Sequence, residues 1–307
     1  MKIGKVVSLI ILLGLLAVTS FLLYDALSIK FATPIEFATN YTPSANIDEI
    51  SYQSNLQFYT NMRFNHMPIT YLIHNGCSSR KLDNIHSAFD FIENNIDSIN
   101  FKEVSDAGDI DVYCGQEYLT GEDVFVAGEG GPVKIVNTSL FNVITKGKIV
   151  LYKESCEYNV ELHELLHVFG FEHSSNSRSI MYNTSSCDQE VTQDILNELD
   201  RLYSISELPD IYFSSIEAEK RGRLLNFEVE VKNQGLMDAD NVVLQIFSDG
   251  KEIDSFELEK IDFGAGKVLK VENFKLPFTS NSVSFILDDD NLINELDESN
   301  NIVQMAV

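Results

Sequence analysis

Apolar and polar positions along the chain change rhythm at Pro209. Upstream, the rhythm is mixed. "PITYLIH" from Pro68 alternates with period two and predicts a strand, while "SRKLDNIHSAFDFIENNI" sets Leu82, Ile85, Phe89 and Ile92 at helical spacing. Short strand-like runs follow in "INFKEV", "DIDVYC", "EDVFVAGEGGP" and "GKIVLYK", the third ending in a glycine-rich turn. A last helix is expected near Val191–Tyr203, with Ile195, Leu199 and Leu202 on one face. That order predicts an α+β domain, a mixed sheet with helices against it. Downstream, "NFEVEVKNQG", "NVVLQIFSDGKEIDSFELEKI", "GKVLKVENFKL" and "SVSFILDDDN" alternate with period two. Turns such as Ser248-Asp249-Gly250 separate them. Several strands at about ten-residue spacing, with no helical pattern, predict an all-β immunoglobulin-like sandwich.

The first thirty residues follow a third pattern. From Val6 to Tyr24 there are 19 residues without a charge. As a helix that run spans roughly 28 Å, about the hydrocarbon thickness of a bilayer. Lys2 and Lys5 precede it, which keeps the short N-terminus cytoplasmic and sends the remainder outside. A cleaved signal peptide is the competing reading, with Ala26-Leu27-Ser28 as a mediocre cleavage site. The expected organisation is a signal anchor over 1–30, a polar tether over 31–66 with a short amphipathic piece around Ile50–Met62, the α+β domain over 67–206 and the sandwich over 207–307. The expected location is the cell membrane with the bulk of the chain extracellular, or secretion if the segment is cleaved.

Charge and cysteine content sharpen this. A net charge of −25 repels a phosphate backbone, so nucleic acid is excluded as a partner. Cys77, Cys114, Cys156 and Cys187 form an even set in an exported chain, which predicts two disulfides. Three pairings are possible; Cys77–Cys114 with Cys156–Cys187 is preferred, because each then staples one half of the same domain.

Only six histidines occur in 307 residues, and three fall in "ELHELLHVFGFEHSSNSRSIMY", residues 161–182. His163 and His167 leave one helix face a turn apart. Gly170 stands where the next turn would be, and glycine lets the helix stop and the chain swing back. His173 then returns from a loop as a third ligand, leaving one coordination position open, the pattern of a catalytic zinc ion. Glu164, next to the first ligand, is placed as a general base toward a water that the metal acidifies to a pKa of about 7. H-E-x-x-H alone is weak. The full H-E-x-x-H-x-x-G-x-x-H string arises by chance in a chain of this composition on the order of once in 10⁵. Eight residues beyond His173, Met181 offers a soft side chain to floor such a site.

On these residues the segment resembles the metzincin metalloproteases, whose zinc motif is followed by a Met-turn. Ser174 after the third histidine and Ile180-Met181-Tyr182 make it most similar to the matrixins. The order of elements over about 67–204 is similar too, with "GEGGP" where these enzymes have a glycine-rich loop before the strand bordering the cleft. The resemblance implies that His163, His167 and His173 bind Zn²⁺, that Glu164 is the general base, and that Met181 forms the Met-turn. The substrate implied is a protein or peptide. Acidic loops bind Ca²⁺ in this family, which makes Asp109, Asp111, Glu122, Asp123 and Glu129 candidates; each taken singly reads as a solvated surface residue. Two family features are not carried over. Residues 87–162 hold no histidine for a second, structural zinc, and the propeptide cysteine motif is missing.

The C-terminal segment resembles CARDB-type adhesion domains through "VEVKNQGLMDADNVVLQIFSDG" and "DDDNLINELDESNNIV", which implies a cell-surface partner. Asp288, Asp290, Glu295 and Asp297 do not have EF-hand spacing and read as a turn whose side chains bond nearby backbone. The expected function is a membrane-anchored extracellular zinc endopeptidase. The alternative is a catalytically inactive surface adhesion protein acting through the sandwich. Loss of the base or of a ligand would favour the second, and all four residues stand.

Overall fold

The structure is a computed structural model that describes residues 15–19, 35–36, 55–115, 126–152 and 157–307. In the N-terminal apolar run only residues 15–19 are described, as a short helical stretch. The expected anchor over 1–30 otherwise lies outside the described residues. Among these, no helix is long and apolar enough to cross a membrane.

The first domain is built on a six-stranded sheet. Strands β2 (Met62–Arg63), β3 (Ile69–Ile73), β4 (Phe101–Glu103), β5 (Ile110–Cys114) and β7 (Asn142–Leu151) pair in parallel, in the order β2-β7-β5-β3-β4. Strand β6 (Gly128–Asn137) runs antiparallel along β7 and lies at the edge. The "GEGGP" expected to form a turn is therefore the first half of a strand.

Helix α1 (Ser79–Asn95) starts where the Ser78 side chain accepts the Lys81 N–H at 3.3 Å, satisfying one of the free donors of a helix start. Its buried face is Ile85, Ala88, Phe89 and Ile92, joined by Lys81 where Leu82 was expected. The Lys81 stem is covered, and its Nζ donates to the carbonyls of Leu151 and Tyr152 at the end of β7. Helix α2 (Asn159–Val168) carries the histidine pair, and α3 (Gln193–Ser204) closes the domain with Ile195, Leu199 and Leu202 buried.

Residues 55–64, read above as tether, pack into this domain. Met62 and Phe64 are fully buried, and the Gln57 amide donates to the carbonyls of Met62 and Phe169 while accepting the Met62 N–H. Arg63, 1% exposed, spends its guanidinium on the carbonyls of Leu202 in the last turn of α3 and of Ile205 just past it, and lies 4.7 Å over the Tyr203 ring. The short amphipathic piece around Ile50–Met62 was the signal the sequence offered for these contacts.

Strands β8 (Ile211–Arg221), β9 (Leu224–Asn233), β10 (Ala239–Ser248), β11 (Lys251–Ile261), β12 (Gly266–Lys275), β13 (Ser282–Leu287) and β14 (Ile302–Ala306) form the expected sandwich. One sheet runs β8-β9-β12, extended by β1 (Ile35–Glu36) pairing with β8, and the other runs β11-β10-β13-β14. The β10–β11 hairpin turns on Asp249 and Gly250, both at positive φ (48° and 77°), as a two-residue turn of primed type demands. Phe227, Phe256, Phe274 and Phe285 meet edge-on or tilted between the sheets.

The two domains share a small third core. Phe141 and Val143 of the first and Leu236 of the second are fully buried together. Around them, Thr138 Oγ1 donates to the Gln234 carbonyl at 2.7 Å and Asn65 donates to that of Leu236 at 2.8 Å.

Candidate metal centre

The end of α2 is what gathers the histidines. Gly170 has φ +88°, and its N–H bonds the His167 carbonyl while the Phe171 N–H reaches back to Leu166, the paired bonds of a Schellman ending. A Cβ at residue 170 would come within 2.5 Å of the Met62 sulfur, so glycine is required by space as well as by torsion. Beyond this turn the Ser174 N–H bonds the Met181 carbonyl at 2.7 Å, and His173 faces back to the helix.

One ligand nitrogen from each of His163, His167 and His173 lies within 4.8 Å of the other two. His163 Nδ1 bonds the Ile180 carbonyl at 2.5 Å, and His167 Nδ1 the Phe171 carbonyl at 2.7 Å. A carbonyl only accepts, so both Nδ1 atoms carry hydrogen and both Nε2 lone pairs are left free. Burial, then the neighbouring imidazoles, lower the His167 pKa to about 4. Burial also lowers that of His163, against the upward pull of the Ile180 carbonyl. These two rings are therefore neutral at pH 7.

A zinc ion fits this donor set. His167 Nε2 and His173 Nε2 are 3.2 Å apart. Two nitrogens at about 2.0–2.1 Å from one tetrahedral ion are separated by about 3.3 Å. The two carbonyls that fix the ring tautomers are backbone atoms of Phe171 and Ile180, which sequence reading had not assigned any part in the site. Phe58 was also missed; its ring stacks on His167 at 5.9 Å and 15°. The available signal was only an aromatic pair, Phe58-Tyr59, inside a polar stretch.

Glu164 is 6% exposed. Burial first, then the carboxylates of Glu129 and Glu161, push its pKa up to about 8, against a hydrogen bond from the Gly130 N–H. A divalent cation held by the neighbouring imidazoles acts in the opposite direction. Met181 is buried in the core, 1% exposed, and supplies backbone rather than exposed chemistry.

The calcium candidates are largely engaged elsewhere. Asp109 takes hydrogen bonds from His66 and from the Thr70 N–H and hydroxyl, and Asp111 pairs with Lys146 at 2.7 Å and His74 at 3.3 Å. Tyr152 donates to Glu129, while Glu122 and Asp123 lie outside the described residues. Cys77 and Cys114 form a disulfide with Cα atoms 5.1 Å apart, as preferred above. Cys187 is disulfide-bonded too; Cys156 lies outside the described residues.

Residues 63–204 match the family model of matrixin, and residues 208–305 that of CARDB. A segment that matches matrixin is thus followed by one that matches CARDB. No curated protein matches the chain. Among solved structures, a domain of a putative cell surface protein from Methanosarcina acetivorans is similar at 21% identity and TM-score 0.28. That match covers 33% of this chain and 90% of the other. The CARDB domain of a Pyrococcus furiosus protein is similar in two structures. A solution structure gives 22% identity and TM-score 0.29 over 33% and 94% of the two chains. A crystal structure in complex with di-metal ions gives 23% and 0.29 over 33% and 88%. The His163–His167–His173 cluster lies within the segment that matches matrixin.

Proposed function

We propose that the chain is a zinc-dependent endopeptidase held at the outer face of a membrane by its N-terminal apolar segment, with the CARDB domain directed to a surface partner. The observation that carries the catalytic part is the convergence of three imidazoles in a matrixin domain with a buried carboxylate on the adjoining helical position. His163, His167 and His173 would hold zinc through their Nε2 atoms. Zinc bound there supplies a Lewis acid that polarises the scissile carbonyl and acidifies water.

The chain's own groups supply the rest. Glu164 takes a proton from the attacking water at its carboxylate and hands it to the leaving amine nitrogen. The Gly130 N–H steadies that carboxylate from the edge strand. The Ile180 and Phe171 carbonyls keep two rings in one tautomer. The Cys77–Cys114 disulfide supports an extracellular setting, where such bonds persist.

Glu164→Ala tests the mechanism. The variant is expected to keep one zinc per chain by mass spectrometry while hydrolysis of casein or gelatin falls by orders of magnitude. Cleavage equal to the parent's would overturn the assignment of the base, and a parent that takes up no zinc would overturn the site.

A further inference from the structure

The acidic loop between β13 and β14 divides into two parts that differ in what they do. Asp288 and Asp297 behave as turn residues: Asp288 accepts the Ile293 N–H at 2.7 Å, and Asp297 the Ser299 N–H at 2.9 Å. Glu295 instead faces the segment that enters the CARDB domain. Its Oε2 accepts the Ile211 N–H and its Oε1 the Asn301 amide at 2.8 Å. Next to Ile211, Asp210 accepts the Asn300 amide at 2.7 Å and the Gln234 amide at 3.1 Å. Asp210 is 0% exposed, Glu295 6%, Asn300 8% and Asn301 3%.

Two features of this nest are not explained by hydrogen bonding. Among the described residues three buried side-chain polar atoms have no hydrogen-bond partner, and two of them are Asn300 Oδ1 and Asn301 Oδ1. Each belongs to a carboxamide whose nitrogen donates to Asp210 or Glu295. An oxygen left buried and unpaired carries the full desolvation cost of the group. Second, the charges acting on Asp210 and Glu295 are all of one sign: Asp297, Glu298 and, on Glu295, Asp210 itself. Buried carboxylates are kept where they are paired or bind metal. Burial pushes Asp210 up to about 7 and Glu295 up to about 8, so without a cation the pair is held partly protonated. With one, the unpaired amide oxygens and the two carboxylates offer the hard oxygen donors that a divalent cation takes.

We propose that Asp210, Glu295, Asn300 and Asn301 form the protein ligands of a calcium-class divalent cation at the root of the CARDB domain, where it leaves the matrixin domain. The cation ties the closing loop to the entering strand β8, across the chain's two ends within that domain. Its place next to Pro209 puts it at the hinge between the domains, so its occupancy stiffens the link as well as the sandwich.

The test uses the full chain, dialysed against EGTA, reloaded with one equivalent of zinc, and titrated with calcium by isothermal titration calorimetry alongside thermal unfolding. The parent is expected to bind calcium and to unfold at higher temperature with it; the Asp210→Asn, Glu295→Gln double variant loses that binding. Asn300→Asp adds a charge to the same cage and is expected to tighten calcium binding about tenfold. A double variant that binds calcium like the parent would place the ion elsewhere and overturn the proposal. So would a parent that takes up no calcium; a Glu295→Gln variant that then melts higher would show that the nest holds a shared proton instead. Should the double variant fail to fold, Asn300→Asp decides alone: unchanged or weaker calcium binding rejects the site.

Discussion

Gly130 of strand β6 lies against the backbone of Glu164 on helix α2, so closely that a Cβ at residue 130 would overlap the Glu164 carbonyl oxygen. Two residues earlier, a Cβ on Gly128 would stand 2.7 Å from Glu164 Cγ. The glycines of "GEGGP" are therefore what lets the edge strand approach the proposed base. Gly130→Ala is expected to push strand and helix apart and to destabilise the domain by about 1–3 kcal/mol. Because the strand also orients the carboxylate, kcat on a short peptide should fall further than stability alone explains. Parent-like kcat with lowered stability would show that the contact is structural only.

His66 and Asp109 couple stability to pH. The hydrogen bond to Asp109 raises the His66 pKa against the downward effect of burial. Burial pushes Asp109 up, but the hydrogen bonds from His66 and Thr70 outweigh it and hold Asp109 at about 2. The raised histidine contributes stability below pH 6.5 that is lost as pH rises through its folded value. The lowered carboxylate contributes above pH 3.8 and loses it as pH falls toward 2. Their joint contribution is therefore greatest from about pH 4 to 6.5. In urea unfolding, His66→Ala should cost more at pH 5.5 than at pH 8.5; an equal cost at both would remove the coupling.

A chain beginning at Pro68 would lack Gln57, Met62, Arg63 and Phe64. Losing two fully buried apolar side chains costs about 2–5 kcal/mol each in cavity-type measurements, and the Leu202 and Ile205 carbonyls lose their donor. That is a large fraction of a domain's whole stability. Such a chain is expected to lose cooperative unfolding by circular dichroism, whereas one beginning at Asn55 keeps it.

Removing residues 209–307 leaves every ligand of the proposed zinc site in place, so cleavage of a short peptide should persist at 25 °C. It also uncovers Phe141 and Val143, which Leu236 covers. The loss of this small core is worth about 2–4 kcal/mol, a drop in melting temperature of roughly 5–15 °C. A truncated chain that melts with the parent's first domain would mean that the interdomain core carries no energy.

The depth of what was legible differed by element. Helix α1, helix α3 and the sandwich strands followed from periodicity, because one face of each meets a core and the other does not. The prediction of a turn at "GEGGP" failed for a definite reason. Glycine there answers the closeness of a helix in another part of the chain, and spacing along the sequence holds no record of that approach. The tether reading of 55–64 misled in the same way, since its apolar residues bury against α3 and the Gly170 turn rather than against each other.

The sequence by itself determined the chemistry on offer. A four-residue step on a helix, a glycine able to take positive φ and a histidine three residues later already bring three imidazoles to one side, because those consequences are local. Only the tertiary structure decided which ring nitrogens face inward, through carbonyls of Phe171 and Ile180, and how deeply Glu164 is buried under β6. It alone set Asp210 beside Glu295 and the two orphaned amide oxygens. Most of these contacts join residues well separated in the chain, such as Asp210 with Asn300 and His163 with Ile180, and even the nearby Phe171 carbonyl meets His167 only because the Gly170 turn folds it back.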